Sequence, residues 1–401
     1  MRILQISDKA PDDGGVAAHV AAISAQLAAR GHEIACLRVG GPDEEGSGNG
    51  PRYRLPPSYG PLRGHLLRRR LHDVLRDARP ELIHVHECFT TLSAPLLASL
   101  RDFAPVVGTL HDVRPFCYLM TRRFAPTGSP CNRRCGIACF ASGCVRPQRP
   151  GDLLRLPRRW ATDRLNLGQW RRLTRVVVPS TYMRELALQH GIPDTGLRVI
   201  PHDATVPSAP PPWNGRPMPA LVVYVGSLFD YKGPALLVEA LARIRERPWR
   251  AILVGEGPMR GSVEKSVVRH GLQERVRLWG HVSDRARIEE LLGRARLLAL
   301  PSLIPESFGL AGIEALAMGT PVVSFGLGGV SDWLRDGDTG LVAADGDIAD
   351  LARKLGRLLD DSALAERMGK HGHALVAERF AAGTAVERLL SVYQEALEVK
   401  E

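Results

Sequence analysis

Residues 301–323, PSLIPESFGLAGIEALAMGTPVV, decide the fold. The apolar run before them, Leu297 to Leu300, reads as a short buried strand that ends at Pro301. After a loop, residues 309–318 read as a helix, with Gly319 placed to cap its C-terminus. Val322, Val323 and Ser324, just past Pro321, read as the next strand, so the whole is a strand–loop–helix–strand unit of a parallel sheet. Two carboxylates stand in this unit. Glu306 lies in the loop, and Glu314 lies inside the helix, where its neighbours three and four residues away, Leu310, Ala317 and Met318, are apolar. A carboxylate on an apolar stripe is costly unless something hydrogen-bonds it, and the hydroxyls of a ribose or a hexose do that well. The backbone N–H groups of Phe308, Gly309, Leu310 and Ala311 open a helix N-terminus, a seat for phosphate. Sugar contacts on both sides of a phosphate seat imply a nucleotide-sugar site; two unrelated surface glutamates are the plain alternative.

Residues 306–323 resemble the Glu-x7-Glu signature of the family 4 retaining glycosyltransferases, whose fold is GT-B. The resemblance implies that Glu306 sits beside the donor sugar and that Glu314 binds the ribose. It extends over nearly the whole chain. GSLFDYKG, residues 226–233, is similar to that family's glycine–Lys-Gly turn, which implies that Gly226, Ser227 and Lys232 face the donor. The Lys232 ammonium is then the partner of a diphosphate that gains negative charge as the sugar bond breaks. Many relatives have Arg where this chain has Ser227, which leaves one positive charge fewer. VRLWG followed by His281 and Val282 is similar to the segment whose backbone meets the nucleobase, at Gly280, His281 and Val282. In the N-terminal half, TLHD at 109–112 is similar to a strand-end His of the family, which implies that His111 contacts the donor sugar. The Asp13-Gly14-Gly15-Val16 loop corresponds to one lying across the cleft from the donor phosphates, so Gly14 and Gly15 are expected contacts. Enzymes of this fold generally need no donor-bound metal.

The bulk numbers agree with an enzyme of this size. A chain of 401 residues accommodates two domains, and 44% hydrophobic with 24% charged residues is the composition of a soluble globular protein. No apolar run reaches the roughly 18 residues of a membrane span. MRILQISDKA reads as a first buried strand rather than a secretory signal, so the expected location is cytoplasmic. The net charge of +10 favours anionic partners: nucleotide diphosphates or an acidic lipid surface at the inner face of the membrane. Nucleic acid is not expected, because no nucleic-acid-binding motif is visible.

Along the chain, strands alternate with helical patterns on both sides of residues 206–219, VPSAPPPWNGRPMP, where six of fourteen residues are Pro. Such a segment reads as a semi-rigid spacer. The expected organisation is an acceptor-side Rossmann-like domain over 1–205, the linker, a nucleotide-sugar-binding Rossmann-like domain over 220–381, and a helix over 382–401 that crosses back to the first domain, the two domains facing a central cleft. His111 closes the strand PVVGTL at the carboxyl edge, where open α/β sheets place ligands. His84, His86 and Glu87 form a second polar cluster, which either orients an acceptor hydroxyl or hydrogen-bonds a loop. Residues 255–258, GEGP, lack the third Gly of a dinucleotide fingerprint and read as a tight turn. Asp336-Gly337-Asp338 and Asp345-Gly346-Asp347 read as turns.

Two further segments carry open alternatives. Cys131, Cys135, Cys139 and Cys144 have spacings C-x3-C-x3-C-x4-C, with Cys117 upstream. That spacing suits tetrahedral thiolate ligation of a structural zinc, while reduced free thiols and disulfides are the other readings. Residues 146–175 set nine Arg, among them Arg146, Arg149, Arg158, Arg164 and Arg172, against only two Asp, with Leu153, Leu156, Trp160, Leu167 and Trp170 interleaved. This pattern suits a helix on an acidic membrane surface, fitting a lipid-linked acceptor, or a core-packing helix with a solvated Arg face. The expected reaction is transfer of a hexosyl group, with retention, from a nucleoside-diphosphate sugar (UDP or GDP) to an acceptor hydroxyl in glycan, glycolipid or glycoside synthesis. A nucleotide-sugar epimerase and an inactive sugar-nucleotide-binding partner of another transferase are the alternatives.

Overall fold

A computed structural model describes the chain except residues 9–14, 41–50, 57–63, 87, 89–90, 126, 146–151, 214–215, 217 and 400–401. The Gly14, Glu87, Arg146 and Arg149 expectations lie outside the described residues. The chain divides into two units, Met1–Pro201 with Ala385–Glu401, and His202–Thr384.

In the first unit the elements run Arg2–Ser7 (β1), Gly15–Ala29 (α1), Glu33–Val39 (β2), Arg52–Leu55 (β3), Gly64–Ala78 (α2), Leu82–His86 (β4), Ala94–Leu100 (α3), Val106–Thr109 (β5), Arg123–Phe124 (β6), Ser129–Pro130 (β7), Ile137–Ala141 (α4), Asp152–Trp170 (α5), Arg175–Val178 (β8), Thr181–Gln189 (α6) and Leu197–Val199 (β9). Seven strands make one parallel sheet in the order β3-β2-β1-β4-β5-β8-β9, and β6 with β7 forms a separate antiparallel pair. The central strands are buried along their length, as in LIHVH of β4, because helices cover both faces of a parallel sheet. At Gly108 in β5 an added Cβ would stand 2.4 Å from the Trp170 ring, so α5 packs closer to the sheet than any larger residue permits. Leu167 and Trp170 are buried there, while Leu165 and Arg158 are exposed. The last turns of α5 are therefore a core-packing helix.

The second unit runs Ala220–Val225 (β10), Pro234–Ala242 (α7), Trp249–Val254 (β11), Arg260–Arg269 (α8), Val276–Gly280 (β12), Arg285–Arg294 (α9), Leu297–Leu300 (β13), Leu310–Ala317 (α10), Val322–Ser324 (β14), Gly340–Val342 (β15), Ile348–Asp360 (α11) and Ser362–Arg379 (α12). Its six strands are parallel in the order β12-β11-β10-β13-β14-β15. The last helix, Thr384–Glu398 (α13), places Val386, Leu389, Val392 and Tyr393 in a cluster with Ile3, Leu27, Leu82 and Val107 of the first unit. Glu395 of α13 takes hydrogen bonds from Arg175 and Arg198, and these bonds hold its carboxyl below the usual glutamate range. The Asp-x-Asp sequences are turns and caps: Asp336 accepts from the Val342 N–H and Asp347 caps α11.

Two expectations need correction. The helix at residues 309–318 is shorter, because Gly309 takes the left-handed conformation (φ +84°) as the residue before α10 instead of joining it. The Pro-rich segment is no free spacer either. It belongs to the second unit, where Trp213 donates to Ser362 and stacks under the Arg216 guanidinium, 3.6 Å from ring centre to Cζ. Arg216 is buried and donates to the Ala295, Met318 and Gly319 carbonyls and to Thr320. A composition rich in Pro predicts stiffness, but a single buried Arg decides where the segment lies. Arg216→Ala strips several buried acceptors of their donor and should cost about 3 kcal/mol, seen as a lower denaturant midpoint. A loss under about 0.5 kcal/mol would mean that the segment only tethers.

Candidate active site

In each sheet the strand order reverses once, between β1 and β4 in the first unit and between β10 and β13 in the second. The carboxyl ends of such neighbouring strands leave a crevice that no helix fills. The expected site residues of the second unit gather at one of these points.

From β10 the chain turns at Gly226 and Ser227, whose carbonyl accepts from the Tyr224 hydroxyl at 2.9 Å. Gly255 presses on this turn; at its φ of +139° an added Cβ would fall 1.9 Å from the Gly226 oxygen. Residues 255–257 are thus a packing turn, as the missing third Gly implied. A 3₁₀ turn over Asp230–Lys232 follows, then Gly233 in the left-handed region (φ +71°), where a Cβ would fall 2.1 Å from the Pro301 oxygen. The Lys-Gly turn therefore lies directly against the end of β13. This contact carries Lys232 to Glu306, with Nζ 2.7 and 2.8 Å from the two carboxylate oxygens. Glu306 is 9% exposed, and its backbone is tied on both sides: its N–H donates to Leu327, and its carbonyl accepts from Gly329 at 2.7 Å. Gly328 makes that approach possible, since a Cβ there would stand 2.5 Å from the Glu306 oxygen.

The start of α10 is clamped as firmly. Phe308 is buried against His202 and Phe380, and its carbonyl accepts from the Trp333 indole at 2.7 Å. A Cβ at Gly312 would stand 2.0 Å from the Trp333 ring, so the first turn of α10 rests flat on that indole. Leu310 begins the helix, and Glu314 follows one turn later, nearly buried and ion-paired with Arg285 at the start of α9. Burial pushes the Glu314 carboxyl above its ordinary 4.5, and Arg285 opposes the rise. Beside it, Gly280 (φ +77°) accepts from the Gly255 N–H at 2.8 Å, His281 is exposed and Val282 half-buried. Trp279 is 37% exposed with the Arg287 guanidinium 4.8 Å over its ring. Arg285, Trp279, Trp333 and Gly328 were missed in the sequence. Trp279 stands in the VRLWG segment one residue before Gly280, and Gly328 lies in GLGGV, residues 326–330, whose glycines read as a flexible loop.

In the first unit, His111 lies just past β5 and is 2% exposed. His86 Nδ1 is 3.1 Å from its Nε2, and His86 Nε2 is 2.6 Å from Gln5 Oε1. His84 joins Tyr393 at 2.6 Å and Thr109 at 2.7 Å. Burial holds the His84 and His111 imidazoles well below their ordinary pKa, and brings His19, edge-on to the His111 ring, down to about 4. These three rings are neutral at neutral pH. Gly15 is the first residue of α1. Glu306, Lys232, Phe308, Gly309, Leu310, Glu314, Gly226, Ser227, Gly280, His281 and Val282 belong to the second unit, and His111, Gly15 and the cysteines to the first.

The cysteine segment folds around β6, β7 and α4. Burial, and then the adjacent Cys139, pushes the Cys135 thiol up to about 12. The Cys135 N–H meets His190 Nε2 at 3.2 Å. All seven cysteines are free thiols, and among the described residues no three His, Cys, Asp or Glu side chains are placed to hold a metal ion. The expected Cys131–Cys135–Cys139–Cys144 ligand shell is not assembled. Side-chain and backbone hydrogen bonds tie the segment instead: Arg122 to the Arg133 carbonyl, and Gln189 to the Asn132 carbonyl. Among the described residues no helix is long and apolar enough to cross a membrane.

Comparison with known proteins matches these two units in turn. Residues 13–202 fit the model of Glycosyltransferase Family 4, and residues 209–374 that of Glycosyl transferases group 1. The chain belongs to the family 4 glycosyltransferases, and its fold is GT-B. It is 32% identical over 177 residues to alpha-D-kanosaminyltransferase of Streptomyces kanamyceticus, a match covering 44% of this chain and 45% of that protein. The matched stretches span about half the length of such curated relatives. Among solved structures, sucrose-phosphate synthase from Thermosynechococcus elongatus superposes with a TM-score of 0.73 at 23% identity over 99% of both chains. Anabaena HepE in complex with UDP and glucose gives 0.70 at 20% identity over 98% of this chain and 99% of that one.

The raised Glu314 carboxyl has a measurable consequence. It binds its proton more tightly in the folded than in the unfolded chain, so stability falls as pH rises from about 4.5 through the raised value. Glu314→Gln removes this buried charge and should raise the thermal midpoint by about 2 °C at pH 7. The gap should close as the pH is lowered towards 4, and a gap that is constant with pH would assign it to packing.

Proposed function

We propose that this chain transfers a hexosyl group, with retention, from a nucleoside-diphosphate sugar to an acceptor hydroxyl. The Lys232–Glu306 pair at the threshold of α10 carries the reading. A lysine and a glutamate 74 residues apart are brought into double contact by two glycine-dependent backbone approaches. A structural ion pair needs no such construction at a ligand-binding edge.

Each residue has a role that its surroundings support. Lys232 leaves one partner for another as the donor binds, moving from the Glu306 carboxylate towards the diphosphate, where leaving-group charge develops. Glu306 then accepts from hydroxyls of the sugar. Glu314 accepts from the ribose hydroxyls, which replace the Arg285 guanidinium at the same oxygens. The N–H groups of Phe308, Gly309 and Leu310 face the phosphates at the helix start. Gly226 and Ser227 line the turn beneath them, and the Gly280–His281–Val282 backbone meets the base. His111 contacts a hydroxyl of the donor sugar, and Gly14 and Gly15 are donor contacts. The charge on the leaving group is balanced by Lys232 and the helix start, without a donor-bound metal. The bound UDP of Anabaena HepE supports a nucleotide-sugar donor. The acceptor is a hydroxyl compound, and the exposed arginines Arg68, Arg69 and Arg70 of α2 suit an acceptor held at an anionic lipid surface.

A thermal-shift series with UDP- and GDP-sugars tests the donor. A cognate donor at about one hundred times its Kd should stabilise the protein by about 2.7 kcal/mol, and Lys232→Met and Glu314→Ala should each remove the shift. With that donor and an acceptor, Glu306→Ala and His111→Ala should lower turnover at least about a hundredfold while keeping the fold. Full activity in both would overturn the assignment. A new nucleotide sugar formed without any acceptor would instead establish an epimerase, and binding without turnover an inactive partner.

A further inference from the structure

The buried polar chain in the first unit has a direction. Gln5 of β1, His86 of β4 and His111 beyond β5 stand in one line across three neighbouring strands, at 2.6 and 3.1 Å, all almost completely buried. A carboxamide has one end that only accepts and one that only donates, so the end facing His86 sets the polarity of everything beyond it. The other end decides which end that is. It faces the Tyr393 hydroxyl at 3.5 Å, while the same hydroxyl lies 2.6 Å from His84 Nδ1. The amide –NH2 is the end that faces Tyr393, so the one proton of that hydroxyl is left for the much closer His84. With the amide –NH2 facing Tyr393, the hydroxyl donates to His84 at 2.6 Å, and His84 Nε2–H donates to Thr109 at 2.7 Å. The Gln5 carbonyl is then the end that faces His86, 2.6 Å from its Nε2.

From there the protons follow by elimination. The Gln5 carbonyl accepts from His86 Nε2–H. His86 Nδ1 then carries a lone pair and accepts from His111 Nε2–H. His111 Nδ1 in turn carries a lone pair.

We propose that Gln5 and His86 are positioning residues that fix the tautomer of His111, making its Nδ1 an acceptor that takes a hydrogen bond from a hydroxyl of the donor sugar. The proposal rests on the reading that His111 meets the sugar, and it adds to that reading the sense of the contact. It also gives the C-terminal helix a chemical part, since Tyr393 of α13 orients the amide.

The groups that face this chain are His84 on the same strand, His19 of α1, Tyr393 of α13, Cys88 just past β4, and the Asp112–Arg114 ion pair that follows His111. Burial, His86, His19 and Arg114 all act against a positive charge on His111, so the wild-type chain keeps its polarity through neutral pH.

Gln5→Glu separates this from a packing role. A carboxylate beside His86 favours the imidazolium, whose Nδ1–H would donate to His111 Nε2 and leave His111 Nδ1–H a donor. The variant should lose about tenfold or more in kcat/KM at pH 7 and recover as pH rises through the His86 titration, whereas the wild type stays flat there. A Gln5→Glu profile superimposable on the wild type overturns the proposal. Donor analogues provide a second measurement on the unaltered protein, should that variant fail to fold. Fluorine in place of a hydroxyl accepts weakly and cannot donate. At the hydroxyl that His111 holds, fluoro and deoxy donors should lose the same factor, and both losses should shrink in His111→Ala. A fluoro donor that keeps activity where the deoxy donor loses it would show that His111 donates, and would also overturn the proposal. If no donor is turned over by the wild type, or His111→Ala is fully active, the underlying reading fails first.

Discussion

The meeting of Gly233 with the carbonyl of Pro301 sets the distance between Lys232 and Glu306. With any side chain at Gly233, the turn would stand off from β13, and the ammonium would lose the reach it needs. The same logic repeats at Gly328, which lets the loop before β15 pair with the backbone of Glu306. Both approaches occur at the carboxyl ends of β10, β13 and β14, the edge where open parallel sheets place their ligands. The sheet fixes the neighbours, the glycines bring the backbones together, and the charged side chains need only short reaches. That order keeps the ion pair rigid with few ordered rotatable bonds, which lowers the entropic cost of holding it.

The second consequence is electrostatic. Each carboxylate of the site is matched with a cation, Glu306 with Lys232 and Glu314 with Arg285. Neither pair is fully buried, so each gives up part of its attraction to solvent screening, and neither is a strong source of stability. Both are suited to exchange. A polyol can take over from a guanidinium at Glu314, because hydroxyl donors satisfy the same lone pairs, and the displaced guanidinium is more than half exposed and returns to water. Ser227 leaves the turn after β10 without an additional cation, so Lys232 and the N–H groups at the start of α10 bear more of the charge that any phosphate brings.

What could be read from the sequence follows from how local each determinant is. Lys232 stands directly before Gly233 of its turn, and Glu306 and Glu314 stand eight apart around a helix start, so short strings of residues carry them. Short apolar runs at regular spacing carried most strands of both sheets, though not β3, whose sequence RYRL is half charged. Arg285 and Glu314 are 29 residues apart on different helices, and no periodicity links them. Arg216 reads as one charge in a proline-rich spacer, while its burial depends on carbonyls contributed by α9 and the end of α10. The cysteine spacing raised the expectation of a metal shell; the fold sets Cys135 beside Cys139, but among the described residues no three ligating side chains are placed to hold an ion. Gly309 was assigned to the helix because pattern alone cannot distinguish a left-handed entry residue from the first helical one.

The histidine cluster shows why the first unit was harder to read than the second. A parallel strand buried on both faces should be apolar, and LIHVH breaks that rule twice. Burying Gln5, His84, His86 and Thr109 together is tolerable only when each polar atom finds a partner, and those partners come from β1, β5 and a helix more than 300 residues further along the chain. The pattern HxH announces that something polar is buried without saying what satisfies it. Only the fold supplies Tyr393, and with Tyr393 comes the orientation of Gln5, on which the proton positions of two histidines depend. A network closed this way resists partial substitution, because removing one member leaves a buried donor or acceptor without its partner. Its retention at the ligand-binding edge of the sheet therefore needs a reason other than stability, since an apolar strand would pack as well at lower cost. Orienting a neutral histidine toward a ligand is such a reason, and packing against α13 alone is not, since leucine would serve.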